Sequence, residues 1–440
     1  MSNPQASSPE EEIGRARSNL AAGLSRYSTY LAEQGSIELA AETANEAVEL
    51  YRKLAAFSPA RYRSALANSL NALSTRLHGA GRLTEALAAA RESLDLISTS
   101  GAPEGPLESL RSGALSNLAA SLASVGRNRE ALHPAEEAVE IYRRLAVADP
   151  PTFMPDLAAS VNNLAIRLAE TGRLAEGLTA AEEATTLYRE LVALNRDAYL
   201  PDLAASVNNL ANHLARAGRR RASLTAAEEA TTLYRELVAL NRDTYLPELT
   251  SSVSNLANDL RALGEYQQAR TLDEDTLTRR LRVLGDDHPI ALRSANNLAN
   301  DLRALGEYQQ ARTLDEDTLT RLRRVLGDDH PDTMRSANNL ANDLRALGER
   351  QQALALNEDT LTRRRRVLGE DHPDTLIAAN NLAAGLYDLG RYDQARALSE
   401  ETLSRRRRIL GDDHPDTLAS AANLAIILRA LGDGEQTRRI

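Results

Sequence analysis

The sequence predicts an all-α protein built as an array of about ten antiparallel helix pairs. Ten glycines recur at spacings of 45 or 46 residues from Gly35 to Gly264, and of 42 residues from there to Gly432. Some copies are nearly identical, since residues 256–279 repeat letter for letter as residues 298–321. Self-similarity at a period of roughly 20 to 50 residues is typical of stacked supersecondary units rather than of one closed core.

The repeats divide the chain into two arrays that differ in repeat length. Units of about 46 residues run to Leu249, and units of 42 residues that carry a GDDHP-type sequence follow. We therefore expect one elongated body, with a first array over residues 13–249 and a second, continuous array over residues 250–440. The polar and acidic residues 1–12 are predicted to form a disordered tail.

The first helix of each unit is defined by an apolar stripe, seen here in the unit that contains Asn297. Ala295, Leu298, Ala299 and Leu302 fall within an arc of about 100° on a helix, so this face should be buried. Asn297 itself projects about 150° away from the centre of this stripe, as the helical period of 3.6 residues requires. It is therefore predicted to lie outside the core.

A glycine should end each helix, because glycine adopts positive φ without a clash at Cβ. Gly306 ends the first helix of this unit, and Gly327 ends the second. The small Ala311 allows the two helices to approach closely. The apolar positions of the second helix are Ala311, Leu314, Thr318, Leu322 and Val325.

The next unit opens with acidic residues, a histidine and Pro331, which suit the start of a helix. The histidines recur once per unit and do not converge on one point, so they are predicted to be structural rather than metal ligands. Arginine runs at 363–366 and 405–408 lie on second helices and are predicted to be solvated, with an acidic partner or RNA as the alternative. The histidines are His288, His330, His372 and His414.

Composition excludes several classes of protein. The net charge of −10 argues against a general nucleic-acid-binding protein, and no stretch has the roughly 18 apolar residues that span a bilayer. No cysteine and no signal-peptide pattern are present, so we expect a cytoplasmic protein. Lys53 is the only lysine in an arginine- and alanine-rich chain, which indicates GC-rich codon usage and a bacterial source.

The order Asn-Leu-Ala, then leucine, glycine and alanine, resembles the tetratricopeptide repeat, a helix–turn–helix unit of about 34 residues. The 42-residue copies with GDDHPDT and NNLA are similar to the repeats of kinesin light chains and their bacterial relatives. The resemblance implies a right-handed superhelical solenoid whose first helices line a concave groove. Gly177 and Ser223 depart from the pattern, since they replace the small alanine after the turn.

The same resemblance implies that asparagines at the marker position of Asn297 bind peptide main chain or a terminal carboxylate. From the residues themselves, a row of amides can both donate to and accept from an extended peptide. Positions four before, one before, three after and six after the marker should face the same groove. The predicted groove residues are Asn209, Asn255, Asn258, Arg261, Arg293, Asn296, Asn297, Asn300, Arg303, Arg335, Asn338, Asn339, Asn342, Arg345 and Asn381.

The predicted groove changes character along the chain. Around Asn163 the matching positions hold Ala159, Asn162, Ile166 and Ala169, whereas arginine and asparagine dominate between about residues 250 and 350. A protein or peptide partner with acidic residues would suit the basic part, because guanidinium pairs bidentately with carboxylate. Two alternatives stay open. The asparagines can bridge neighbouring helices, and the arginines can pair with Asp259, Asp301 and Asp343.

The last first helix carries Ile426 and Ile427 where an earlier copy has Asn300 and Asp301. Only a short segment follows, so this helix lacks the usual polar cap of a solenoid. We interpret the two isoleucines as an assembly surface, which would make a homo-oligomer, with fraying of the end as the alternative.

The sequence contains no Gly-rich phosphate loop, no nucleophile motif and no converging pair of carboxylates, so we expect neither an enzyme nor a cofactor nor a bound metal. The favoured hypothesis is a non-enzymatic scaffold that binds an extended peptide in the groove. The alternatives are a regulatory sensor that binds a signalling peptide and controls a separate effector, such as an enzyme encoded nearby, and a self-assembling structural solenoid.

Overall fold

The computed structural model describes residues 9–98, 106–412 and 414–432, which form nineteen α-helices and no strand. The odd-numbered helices are the first helices of each pair, and the even-numbered helices are the second helices. The first helices are α1 Pro9–Glu33, α3 Pro59–Gly79, α5 Pro106–Ser124, α7 Pro150–Glu170, α9 Arg196–Arg216, α11 Arg242–Ala262, α13 Pro289–Ala304, α15 Pro331–Ala346, α17 Pro373–Asp388 and α19 Pro415–Ala430.

The second helices alternate with these along the chain. Helix α1 begins at Pro9, so residues 9–12 are helical and not part of a disordered tail, while residues 1–8 lie outside the described residues. The second helices are α2 Ile37–Phe57, α4 Leu83–Ser98, α6 Asn128–Ala148, α8 Leu174–Leu194, α10 Arg220–Leu240, α12 Tyr266–Leu284, α14 Tyr308–Leu326, α16 Arg350–Leu368 and α18 Tyr392–Leu410.

The chain divides into two compact units, residues 1–252 and residues 253–440, with the division inside α11. Within each unit, helices that follow one another in sequence pack together, as expected for stacked antiparallel pairs. The all-α solenoid of helix pairs predicted from the sequence is thereby confirmed. No helix in the described part of the chain combines the length and the hydropathy needed to cross a bilayer.

The glycine turns have the predicted conformation. Gly306 ends α13 with a φ of 81°, and Gly327 ends α14 with a φ of 83°. No atom lies within 4 Å of a Cβ built on either residue, so the positive φ and not crowding is what requires glycine there. Substitution would strain the backbone at every such turn.

The buried stripe of the first helix is also confirmed. Ala299 is fully buried, and Leu302, which is 5% exposed, packs with Leu298 and with Ala311 of the following second helix. On that second helix Thr318 and Leu322 are buried, but Val325, the last of its apolar positions, is 44% exposed. Val325 lies in the last turn of α14.

The two departures from the small-alanine position have separate explanations. A Cβ on Gly177 would lie 3.0 Å from the carbonyl oxygen of Ala165, so α7 and α8 approach too closely for any side chain. Ser223 instead donates its hydroxyl to the carbonyl oxygen of Ala211 at 2.8 Å. Both residues preserve the close packing that alanine provides in other units.

Candidate functional site

Consecutive first helices contact one another within each of the two compact units. Helix α3 contacts α5, α7 contacts α9, α13 contacts α15 and α17 contacts α19, although a second helix separates each pair in sequence. We call the surface of the first helices that faces away from the second helices the inner surface. Residues on it form a row that continues from one helix pair to the next.

The marker asparagines lie at this surface rather than in the core. Asn297, Asn339 and Asn381 are half-buried on α13, α15 and α17, as are Asn209 on α9 and Asn255 on α11. Their position agrees with the direction read from the helical period.

Several of these amides bind one another across consecutive first helices. Asn209 Nδ2 donates to Asn162 Oδ1 at 3.2 Å, and Asn381 Nδ2 donates to Asn338 Oδ1 at 2.7 Å. Asn117 makes the same kind of bond to the helix before it. The bridging alternative is therefore correct for these three residues. These bonds leave the side-chain oxygens of Asn209 and Asn381 as acceptors, whereas Asn117 Oδ1 accepts from Thr75 Oγ1 at 3.4 Å.

Asn296 was expected to face the groove, but the structure places it in the interior. It is only 4% exposed. Within the described residues, its Oδ1 has no hydrogen-bond partner, and neither has the buried Nδ2 of Asn339. Of the other amides predicted to face the groove, Asn300 and Asn342 are half-buried and Asn258 is exposed.

Arg261 and Arg303 are held by buried carboxylates and do not project freely from the inner surface. Arg261 donates Nε to Asp301 at 2.5 Å and Nη2 to Asp273 at 2.6 Å. Arg303 is bound in the same way by one carboxylate from its own helix pair and one from the next. Those partners are Asp315 at 2.8 Å and Asp343 at 2.5 Å.

The carboxylates of these clusters are taken out of water. Asp273 is 1% exposed, and Asp301, Asp315 and Asp343 are fully buried. Burial, together with the second carboxyl of each cluster, raises the pKa of Asp273 to about 7 and that of Asp315 to about 8. One guanidinium shared by two buried carboxylates cannot neutralise both, so each cluster favours a bound proton at neutral pH.

Arg345 occupies the matching position in the next unit but has lost both carboxylates. Asn357 and Gly385 stand where the earlier units have aspartates. Arg345 instead pairs with Asp388, and its side chain is 44% exposed. Its guanidinium is therefore the most accessible of the three.

Arg293 and Arg335 lie one turn before the marker asparagines and are exposed. Arg335 pairs with Asp332 of its own helix. In the described part of the chain, Arg293 has no hydrogen-bond or ion-pair partner. These two residues and Arg345 supply the accessible positive charge predicted for the inner surface.

The repeated histidines cap helices, as the sequence indicated. His330 Nδ1 accepts a hydrogen bond from the backbone N–H of Asp332 at 3.1 Å, and His372 accepts from Asp374 at the same distance. His288 and His414 do the same at the starts of α13 and α19. No group of three candidate metal ligands exists among the described residues.

The arginine runs on the second helices are not solvated faces throughout, which corrects the prediction. Arg364 and Arg406 are 5% and 4% exposed. Their neighbours Arg366 and Arg408 pair with the acidic turns of the preceding unit, at Asp329 and Asp371. The alternation follows from the helical period, which turns successive residues inward and outward.

Of the two isoleucines predicted to form an assembly surface, one is buried and one is exposed. Ile427 is 3% exposed and packs with Leu382 and Leu386 in the core, because it occupies the inward position held by Asp301 and Asp343 in earlier units. Ile426 is 48% exposed. The residues that follow Gly432 lie outside the described chain.

Sequence reasoning missed the buried aspartates Asp273 and Asp315. A signal was present, since each follows its arginine by twelve residues in two consecutive units. The spacing alone does not show that a second carboxylate arrives from the next unit.

Models described as tetratricopeptide repeat match residues 66–98, 112–152 and 157–195, and residues 249–320, 291–366, 337–387 and 374–436. No curated protein sequence matches the chain.

The similar solved structures are repeat proteins. A putative kinesin light chain of Podosopora anserina with nearly identical TPR-like repeats is 28% identical, over 43% of this chain and 90% of that one, with a TM-score of 0.39. The apo quorum sensor NprR of B. thuringiensis is 15% identical over 80% and 91%, with a TM-score of 0.55. Apo RapI is 11% identical over 84% and 99%, with a TM-score of 0.52.

The family matches together cover more than half of the chain, and the matched segments contain α13 to α18 with the turns at Gly306 and Gly327. The likeness to NprR and RapI concerns the fold alone. Tetratricopeptide arrays are a scaffold that supports protein interaction, and function in them resides in the surface and not in the fold. This chain belongs to the tetratricopeptide repeat family.

Proposed function

We propose that this protein is a non-enzymatic scaffold that binds an extended peptide segment of a partner on the inner surface of residues 253–440. The observation that carries the proposal is the row of amides on α13, α15 and α17. Asn297, Asn300, Asn339 and Asn342 are half-buried at this surface, whereas Asn296 is buried and takes no part in it.

An extended peptide presents one N–H and one C=O per residue, and amides can satisfy both kinds of group without regard to sequence. The bonds between Asn338 and Asn381 hold neighbouring amides in place before a ligand arrives. Such pre-organisation lowers the entropic cost of binding.

Charge on the same surface supports a preference for acidic peptides. Arg293, Arg335 and Arg345 are exposed, and the last two pair with Asp332 and Asp388 at the surface, whereas Arg261 and Arg303 are held by buried aspartates. We therefore assign charge recognition to the first three residues and a structural role to the last two.

The test is to select peptides from a displayed random library on the wild-type protein and to measure their affinity for the double variant Asn297→Ala/Asn339→Ala by fluorescence anisotropy. We expect a loss of about tenfold or more, since each lost hydrogen bond contributes on the order of 1 kcal/mol. The far-ultraviolet circular dichroism should not change.

The matched control is Gln309→Ala/Gln351→Ala, which removes two exposed amides from second helices α14 and α16. This variant should bind the selected peptides as the wild type does. Unchanged affinity in Asn297→Ala/Asn339→Ala, or an equal loss in both double variants, would remove the amide row as the binding site.

A further inference from the structure

Three carboxylates recur at one position on the first helices of residues 1–252. Asp156 on α7, Asp202 on α9 and Glu248 on α11 each lie seven residues before a marker asparagine of the same helix. Seven residues are about two helical turns, so these carboxylates lie on the inner surface as the asparagines do. All three are exposed. We call them the carboxylate row.

No cation of the protein pairs with the carboxylate row. Among the described residues, none of its three members has an ion-pair or hydrogen-bond partner. The surrounding protein raises the pKa of Asp156 and of Asp202 by desolvation, although both side chains are exposed. The positions that carry arginine on α13 and α15 hold alanine on α7 and α9, at Ala159, Ala169, Ala205 and Ala215.

Two tyrosines of the second helices lie beside this row. Tyr188 on α8 is 6% exposed, and Tyr234 on α10 is 5% exposed. Burial, together with Asp202 and Asp156, raises the pKa of Tyr188. Burial, together with Glu248 and Asp202, raises the pKa of Tyr234 to about 12. Each phenol therefore lies near two carboxylates that come from consecutive first helices.

The hydroxyl groups of these tyrosines are not satisfied within the protein. Among the described residues, neither Tyr188 nor Tyr234 has a hydrogen-bond partner, although each side chain is more than nine-tenths buried. A buried polar group without a partner costs free energy, because it has given up its bonds to water. A ligand that brings N–H groups to this part of the inner surface would satisfy the phenol oxygens as acceptors.

The second array carries arginine where the first array carries these tyrosines. Arg364 and Arg406 stand at the matching position, 25 residues after the marker asparagine. They bind the backbone oxygens of Asp374 and Asp416 at 2.6 Å, and these aspartates stand at the position of the carboxylate row. A guanidinium is therefore present beside the acid in those repeats. Residues 1–252 have the acid and a neutral phenol without the guanidinium.

We propose that the carboxylate row and the two phenols form a docking surface for an extended basic segment of a partner protein, whose arginine side chains supply the missing guanidinium groups. A carboxylate accepts two N–H groups of a guanidinium, and the fork has further donors for a phenol oxygen. This surface lies in residues 1–252, so it does not rest on the function proposed for residues 253–440.

The spacing of the row decides the probe. Packed helices lie about 8–10 Å apart, and an extended peptide rises about 3.3 Å per residue. Arginines three residues apart therefore match carboxylates on consecutive first helices. The probe is acetyl-Arg-Ala-Ala-Arg-Ala-Ala-Arg-amide, and its neutral counterpart carries citrulline at the three arginine positions. Spermidine is the third probe, a flexible cation without a peptide backbone.

Binding to the full chain is measured by isothermal titration calorimetry. We expect wild type to bind the arginine peptide at least about tenfold more tightly than the citrulline peptide, because citrulline loses the charge-assisted bonds to the row. Spermidine should bind at least about tenfold more weakly than the arginine peptide, because an ammonium group lacks the planar fork that reaches carboxylate and phenol together.

The first variant is Asp156→Asn/Asp202→Asn/Glu248→Gln, which neutralises the carboxylate row. It should reduce the preference for arginine over citrulline to less than about twofold. Its melting temperature should not fall, because these carboxylates have no partner in the folded protein.

The matched control is Glu140→Gln/Glu190→Gln/Glu228→Gln, which changes the net charge by the same amount. These glutamates are exposed on the second helices α6, α8 and α10, and within the described chain their carboxylates have no ion pair. The control should keep the full preference for arginine.

The tyrosines are tested by Tyr188→Phe/Tyr234→Phe. This variant should lose at least about threefold in affinity for the arginine peptide, since each hydrogen bond to the ligand contributes on the order of 1 kcal/mol. Its stability should not fall, because the two hydroxyl groups have no partner in the protein. Unchanged affinity would overturn the role of the phenols.

Equal binding of the arginine and citrulline peptides by wild type would overturn the inference. So would a preference that persists after the row is neutralised, or that is lost equally in the control. Spermidine binding as tight as that of the arginine peptide would show that the ligand is a free polyamine and not a protein segment. These outcomes are separate from a failure of the proposed function, because Asn297→Ala/Asn339→Ala should bind the arginine peptide as wild type does.

Discussion

At the scale of single residues, the notable feature is a guanidinium placed between two buried carboxylates. Arg303 binds Asp315 and Asp343, and both acids are fully buried. Burial of a charge is costly unless the charge is paired, so one carboxyl of each cluster gains stability by holding a proton. The stability of residues 253–440 therefore depends on pH.

We expect the melting temperature to fall as the pH rises from about 6 to about 9. The pKa of Asp315 is raised from 3.8 to about 8 and that of Asp273 to about 7. Between these ordinary and raised pKa values the folded state therefore binds more protons than the unfolded state. The stabilisation is complete below pH ~4 and is lost as the pH rises through about 7 to 8. Thermal unfolding by circular dichroism measures this.

Asp315→Asn should flatten this dependence, because an amide carries no titrating proton. The matched control is Asp317→Asn on the same helix, which is exposed and pairs with Arg321. A slope that is identical in wild type and Asp315→Asn would contradict the assignment of the proton to this cluster.

At the scale of helices, glycine serves two different purposes in this array. The turn glycines have positive φ, whereas Gly177 and Gly385 lie inside α8 and α17 with helical backbone. A Cβ on Gly177 would meet the backbone oxygen of Ala165 at 3.0 Å. A Cβ on Gly385 would meet the flexible Cδ1 of Leu354 at 3.3 Å.

We therefore expect opposite effects from the same substitution. Gly177→Ala should destabilise the protein by about 1–3 kcal/mol, because the backbone of α7 must move. Gly385→Ala should be neutral or stabilising by up to about 1 kcal/mol, because alanine is the better helix former and Leu354 can adjust. Urea unfolding of both variants checks this, and a stabilised Gly177→Ala would refute the close-approach explanation.

At the scale of the whole molecule, stability is a sum of local contacts. The main contacts of each helix are with its neighbours one or two places along the chain. Arrays of this kind behave approximately as one-dimensional systems, in which the effect of a change decays with distance along the chain. A defect in one unit should therefore remain local.

Arg303→Ala tests this behaviour. It leaves two buried carboxylates without their cation and should cost about 3–5 kcal/mol. Hydrogen exchange followed by mass spectrometry should show lost protection in α13–α17 and unchanged protection in α2–α8. The control Arg189→Ala breaks an exposed pair with Glu229 at 2.9 Å and should cost less than about 1 kcal/mol. Loss of protection along the entire chain would contradict local stability.

The helix pairs and the glycine turns could be predicted from the residues alone. These features depend on residues within one or two turns of each other, such as Gly306 after α13. Helical period and backbone φ therefore suffice to predict them. The direction of Asn297 followed from the same period.

Only the tertiary structure decided which groups remain available on the inner surface. Arg303 is neutralised by Asp343 of the next repeat, 40 residues away, and Asn296 is buried at 4% exposure. Ile427 enters the core at a position that holds aspartate elsewhere. Local periodicity gives the direction of a side chain on its own helix, but its partner depends on how closely adjacent helix pairs stack, and that is set by packing between units.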